Sequence, residues 1–157
     1  MPREFRFTLA VMRYRPTFVF MTVCAFLLTN ALPLRAQVDI GTAGVKSIRR
    51  AIERQIDAFK RHDATDAFSF AAPNIRKIFP SAENFMRMIR QGYQPVFRPR
   101  SFAFEELTRI DGKLVQPVRV IGPDGLPVIA FYIMERQPDG SWKIDGCVLT
   151  RAPGQGV

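Results

Sequence analysis

Three Asp-Gly turns, Asp111-Gly112, Pro123-Asp124-Gly125 and Pro138-Asp139-Gly140, punctuate residues 101–151 of this chain. Proline fixes one turn dihedral and glycine accepts positive φ, so each sequence suits a tight reversal between antiparallel neighbours. The four apolar-rich runs that the turns separate predict a meander of antiparallel strands. In the third run Val128, Ala130, Tyr132 and Met134 alternate with Ile129, Phe131 and Ile133, so both faces are apolar and this strand belongs in the sheet centre. The fourth run places Trp142, Ile144 and Val148 on one face and Lys143, Asp145 and Arg151 on the other, with Cys147 and Leu149 softening the pattern. Pro117 cannot donate to a ladder, which implies an edge or a bulge in the second run.

The preceding segment has helical periodicity. Val45, Ile48, Ile52, Ile56 and Phe59 recur three and four apart, with most charges on other faces, which predicts one long amphipathic helix after a flexible linker at 37–44. Asp63 is placed as the N-cap of a short second helix containing Ala67 and Phe68, with Asp66 three residues on. Pro73 can open a further turn. Ser81 starts a third helix through Phe85, Met86, Met88 and Ile89 that ends near Gly92. Pro95 and Pro99 make 93–100 an extended connector. The expectation is an α+β domain over 45–153, about three N-terminal helices packed on a curved antiparallel sheet of at least four strands, with a disordered tail at 154–157.

At the N-terminus, Arg3, Arg6, Arg13 and Arg15 precede the uncharged run Phe18–Leu28 and the segment ending Leu34-Arg35-Ala36. This is the n-, h- and c-region order of a secretory signal peptide over 1–36, placing the domain in the periplasm or outside the cell with no stable membrane insertion after cleavage. The rival expectation is an inner-membrane anchor over 18–34, which is barely long enough to span a bilayer. Loss of 1–36 leaves 18 Lys and Arg against 13 Asp and Glu, a net charge of +5 in place of +9. Cys24 would leave with the signal, and Cys147 alone cannot form an internal disulfide. The 121 residues that remain suit one domain held by its core.

One histidine and one cysteine in the exported part do not make a zinc site, and no glycine-rich loop joins a strand to a helix, so neither metal nor cofactor is expected. A modest charge spread along an exported chain argues against nucleic acid. His62 falls at the end of the first helix, where an imidazolium meets the terminal carbonyls, and Asp63 and Asp66 have capping roles. Glu105 and Glu106 point to opposite faces of a strand unless a bulge intervenes. The polar cluster with binding potential is basic. Arg87 and Arg90 lie three apart on a helix, Arg98 and Arg100 share a face of the connector, and Tyr93 stands between the pairs. If the connector folds back, these guanidinium groups converge on a carboxylate or phosphate. Tyr93 and Tyr132 are the tyrosines placed to reach the interior of the domain.

The segments Ile48–Ile52, Asp66–Arg76, Phe85–Ile89, Gly92–Ser101 and Glu135–Cys147 together resemble an exported bacterial family, domain of unknown function 4864, over about residues 45–153. That family is similar to the nuclear transport factor 2-like superfamily. The resemblance implies a cone, a strongly bent antiparallel sheet wrapped around helices, often with a pocket at its wide end. It implies no activity, because the superfamily hosts isomerases, dehydratases, transport factors and binding domains alike. Its enzymes use a pocket carboxylate, for which this sequence offers poor material. A non-catalytic domain binding a small ligand or an envelope partner therefore ranks first, with Tyr93, Arg98, Arg100, Arg87 and Tyr132 as its ligand residues. A homodimeric accessory protein joined through the sheet ranks second, and an isomerase- or dehydratase-type enzyme third.

Overall fold

The computed structural model describes residues 40–153. The signal-like segment at 1–36, residues 37–39 and the tail at 154–157 lie outside the described residues. Among the described residues five helices precede five strands. Helix α1 spans Gly41–Lys60, α2 Ala64–Ser69, α3 Pro73–Ile78, α4 Ala82–Gly92 and α5 Gln94–Phe97. Strand β1 spans Ser101–Phe104, β2 Thr108–Ile110, β3 Lys113–Ile121, β4 Pro127–Arg136 and β5 Trp142–Arg151. Among the described residues no helix is long and apolar enough to cross a membrane.

Helix α1 begins within the stretch expected as linker. Ile40 packs against the core, so the chain is already anchored when the helix starts at Gly41. Asp63 accepts from the Asp66 N–H at 2.9 Å and Ser81 from the Asn84 N–H at 3.2 Å, satisfying donors that open α2 and α4. Pro95, expected to hold the connector extended, instead sits in the first turn of α5, where its missing N–H costs no helical bond.

The sheet is antiparallel in the order β1-β3-β4-β5, with β2 also paired to β3. The predicted hairpins are present, with Asp111, Gly112, Gly125 and Gly140 at positive φ. The first apolar run is two strands, β1 opposite Val118–Ile121 and β2 opposite Lys113–Val115, broken at 105–107. Pro117 lies opposite that break. Its carbonyl accepts from the Glu105 N–H at 3.0 Å, so its donorless nitrogen faces the gap in the ladder and β3 tolerates proline between two neighbours.

A bulge in β5 changes which side chains face inward. Ile133 pairs with Gly146 but Met134 with Ile144, leaving Asp145 as the extra residue. Val148, expected beside Ile144, is consequently on the outer face and 52% exposed, while Cys147 and Leu149 pack against the core. The main core joins Ile48, Ile52 and Ile56 of α1 to Leu114, Val118, Val120, Ala130, Tyr132 and Met134. A second cluster lies among the helices around Phe59, Phe85, Ile89 and Phe97. Tyr93 packs against both.

Candidate functional site

The five residues nominated from sequence do not form one site. Arg87 is exposed on α4. Arg98 turns to the end of α1, where its Nη2 lies 3.2 Å from His62 Nε2 and its guanidinium 5.6 Å from the Phe97 ring centre. Arg100 donates instead to the Pro123 carbonyl in the β3–β4 turn. The two connector arginines thus hold different parts of the fold. His62, at positive φ, stacks edge-on against Phe97.

The tyrosines do meet, around Cys147. Tyr93 Oη donates to the Cys147 carbonyl at 3.2 Å, and Tyr132 lies directly opposite Cys147 across the β4–β5 ladder. Gln116 flanks Tyr132 on β3, completing a polar row across the inner face. Tyr132 is 1% exposed, and its Oη finds no hydrogen-bond partner among the described residues. Burial raises the pKa of both tyrosines, that of Tyr132 strongly, with Cys147 adding to the shift in each. Burial also pushes the Cys147 thiol up to about 12, so it stays protonated and unreactive at neutral pH. Tyr132 and Gln116 are closed off in the core, while Cys147 is half-buried on the outermost strand, β5.

Gln116 escaped attention in the sequence because it is a lone amide inside an apolar run. Its Nε2 donates to the Glu105 and Pro117 carbonyls at 2.9 Å each, supplying by side chain the bonds missing where β1 and β2 part. The proline next to it was the only signal that a ladder gap needed filling. Glu105, in the same break, pairs with Arg119 at 2.8 Å.

An open concave surface lies on the outer face. A groove of about 410 Å³ runs over Ile110, Val115, Phe131, Ile133 and Val148, with Asp111 and Lys113 at one end. Register explains it. Val115 pairs with Ile133, and Phe131 with Val148, so apolar side chains stand in two adjacent rows. Gly146 faces Ile133 at the end of one row and adds no side chain there; a Cβ at that point would meet Ile133 Cδ1 at 3.3 Å. Lys113 Nζ lies 3.8 Å from Asp145 Oδ2, which fixes the polar end to the bulge. No sequence nominee lines this groove. Its position depends on the bulge at Asp145, which turns Val148 outward.

This architecture, helices on one face of a bent antiparallel sheet and a groove on the other, defines an α+β domain of mixed helix-then-meander type. The chain belongs to the family described as domain of unknown function (DUF4864), whose model matches residues 42–157. Among solved structures it is similar to an NTF-2 like protein of unknown function from Burkholderia xenovorans LB400, at 14% identity and a TM-score of 0.43, covering 70% of this chain and 90% of that one. Comparison with curated proteins finds no match.

Proposed function

We propose that the protein is an exported, non-catalytic binding domain that holds a small, largely apolar ligand in the groove on the outer face of its sheet. The observation that carries this reading is the groove itself: five apolar side chains line a concavity of about 410 Å³ on the side of the sheet opposite the described helices. Such a volume falls in the range of small-molecule sites, which are mainly apolar with a few orienting polar groups. Lys113 and Asp111 at one end supply those groups. An apolar body with a polar head would lie along the rows and point its head at this end.

The enzyme reading is less well supported. The only histidine stacks on Phe97, Asp63 caps a helix, and Asp66 pairs with Arg61 at 2.8 Å, so the nominated acid and base groups have structural occupations. Export rests on the n-, h- and c-region order of residues 1–36.

Titration with 8-anilinonaphthalene-1-sulfonate, an apolar ring system with an acidic head, tests the proposal. The parent should show saturable binding, and Ile110→Glu, at a residue already 45% exposed, should weaken it by about tenfold through burying a charge in the groove. Absence of saturable binding in the folded parent, or equal binding by both proteins, contradicts it.

A further inference from the structure

We infer that this domain forms a two-fold dimer by pairing the second half of β5, centred on Leu149, with the same segment of another copy. Hydrogen bonds at both ends of β5 set which way its backbone groups face. Near the start, Ile144 donates to the Phe70 carbonyl at 2.9 Å and accepts from the Ala72 N–H at 2.8 Å, so Ile144 faces away from β4. Just past the end, the Ala152 N–H reaches the Pro127 carbonyl at 3.4 Å, so Ala152 faces β4. With Gly146 opposite Ile133 after the bulge, strand alternation turns the N–H and C=O of Cys147, Leu149 and Arg151 away from β4. The Tyr93 hydroxyl on the Cys147 carbonyl agrees with that parity and occupies one of its lone pairs.

The other sheet edges are guarded. On the far side, β1 and β2 are short and separated by a break. The first half of β5 is covered by the chain at 70–72 and carries Lys143 and the Asp145 bulge. These are ordinary defences against strand pairing. From Cys147 to Arg151 there is no proline or bulge and a single charge, at the terminal Arg151, and Val148 is 52% exposed. An extended edge of this kind recruits another strand.

The occupant follows from the symmetry of the pattern. The outward groups of 147, 149 and 151 are arranged evenly about Leu149, so an antiparallel copy turned about that residue presents the same groups in return. Leu149 then exchanges N–H and C=O bonds with the partner's Leu149. The Cys147 N–H donates to the carbonyl of Arg151 of the partner subunit. Arg151 comes opposite a neutral cysteine, so the paired stretch contains no like-charge contact. On the outer face Val148 comes opposite the partner's Thr150, which extends the wall of the groove and leaves its mouth open. The pairing therefore stands independently of whether the groove holds a ligand.

Cross-linking of the full chain reads this register. Residues 148 and the partner's 150 form a non-hydrogen-bonded pair with Cα atoms about 4.5 Å apart, within disulfide reach. Val148→Cys with Thr150→Cys in a Cys24→Ser, Cys147→Ser background should run as a covalent dimer on a non-reducing gel after mild oxidation. Leu149→Pro, which removes the central donor, should shift the parent from dimer to monomer in light scattering while its circular dichroism keeps the parent's form. If Leu149→Pro does not fold, the cross-link alone decides. A monomeric parent at about 100 µM, well above the micromolar range of standard interfaces, overturns the inference. So does a dimer that cross-links through Ile110→Cys on the outer face and not through 148 and 150. A dimer with no anilinonaphthalene binding leaves the pairing intact and removes the ligand proposal alone.

Discussion

Cys147 shows how a single side chain reports its surroundings. Burial holds its thiol protonated up to about pH 12, whereas an unfolded chain loses that proton near the ordinary thiol value of 9.0. Between those values the unfolded state binds fewer protons than the folded one, so stability is full below about pH 9 and falls as the pH rises. Tyr132 acts in the same direction at higher pH. Cys147→Ala should therefore flatten the alkaline loss of thermal stability between pH 9 and 11, and an unchanged slope would contradict the burial of the thiol. Gln116 is 0% exposed and its amide donates to two carbonyls, so Gln116→Met removes two hydrogen bonds, leaving the Pro117 carbonyl with the Glu105 N–H alone and the Glu105 carbonyl with Arg49 Nη2 alone. Urea unfolding should show a loss of about 1–3 kcal/mol. Asp63→Ala removes the α2 cap and should cost about 1 kcal/mol in the same assay. The capping role of Asp63 and the helix start at Ser81 were legible in sequence because a cap acts on a backbone donor only a few residues away. The targets of Arg98 and Arg100 were not, since they lie in the turn after α1 and in the β3–β4 turn, distant in sequence.

At the scale of elements, turn chemistry was the most readable signal. The hairpins follow from residues whose φ values are restricted or freed locally. The two irregularities were harder to place. Pro117 announced a defect without saying which neighbour it faced, and the answer depended on β1 and β2 separating at 105–107. The bulge at Asp145 was visible only as a softened alternation, Cys147 and Leu149 standing where polar residues belong. Adding one residue to one strand inverts every side chain beyond it, so the position of Val148 could not follow from period-two reasoning alone. Deleting Asp145 should return Val148 inward and drive Cys147 and Leu149 out, abolishing cooperative unfolding. Asp145→Ala should retain it. A deletion variant with parent-like unfolding would show that the bulge does not set the inward face.

For the whole molecule, the sheet divides two kinds of surface. Its inner face is sealed by α1, with Ile48, Ile52, Ile56, Tyr132 and Gln116 all essentially inaccessible, while its outer face keeps an apolar groove. Helix-then-meander order was enough to foresee the helices on one face. It did not foresee a groove on the other, because that surface arises from cross-strand register and from Gly146 opposite Ile133. The central claim is that ligand contact occurs on the outer face and spares the polar row around Cys147. Two-dimensional amide NMR of the isotopically labelled protein, titrated with the anilinonaphthalene probe, tests it most directly. The account predicts saturable shifts concentrated at Ile110, Lys113, Val115, Phe131 and Ile133, whereas shifts centred on Tyr93, Gln116, Tyr132 and Cys147 would contradict it.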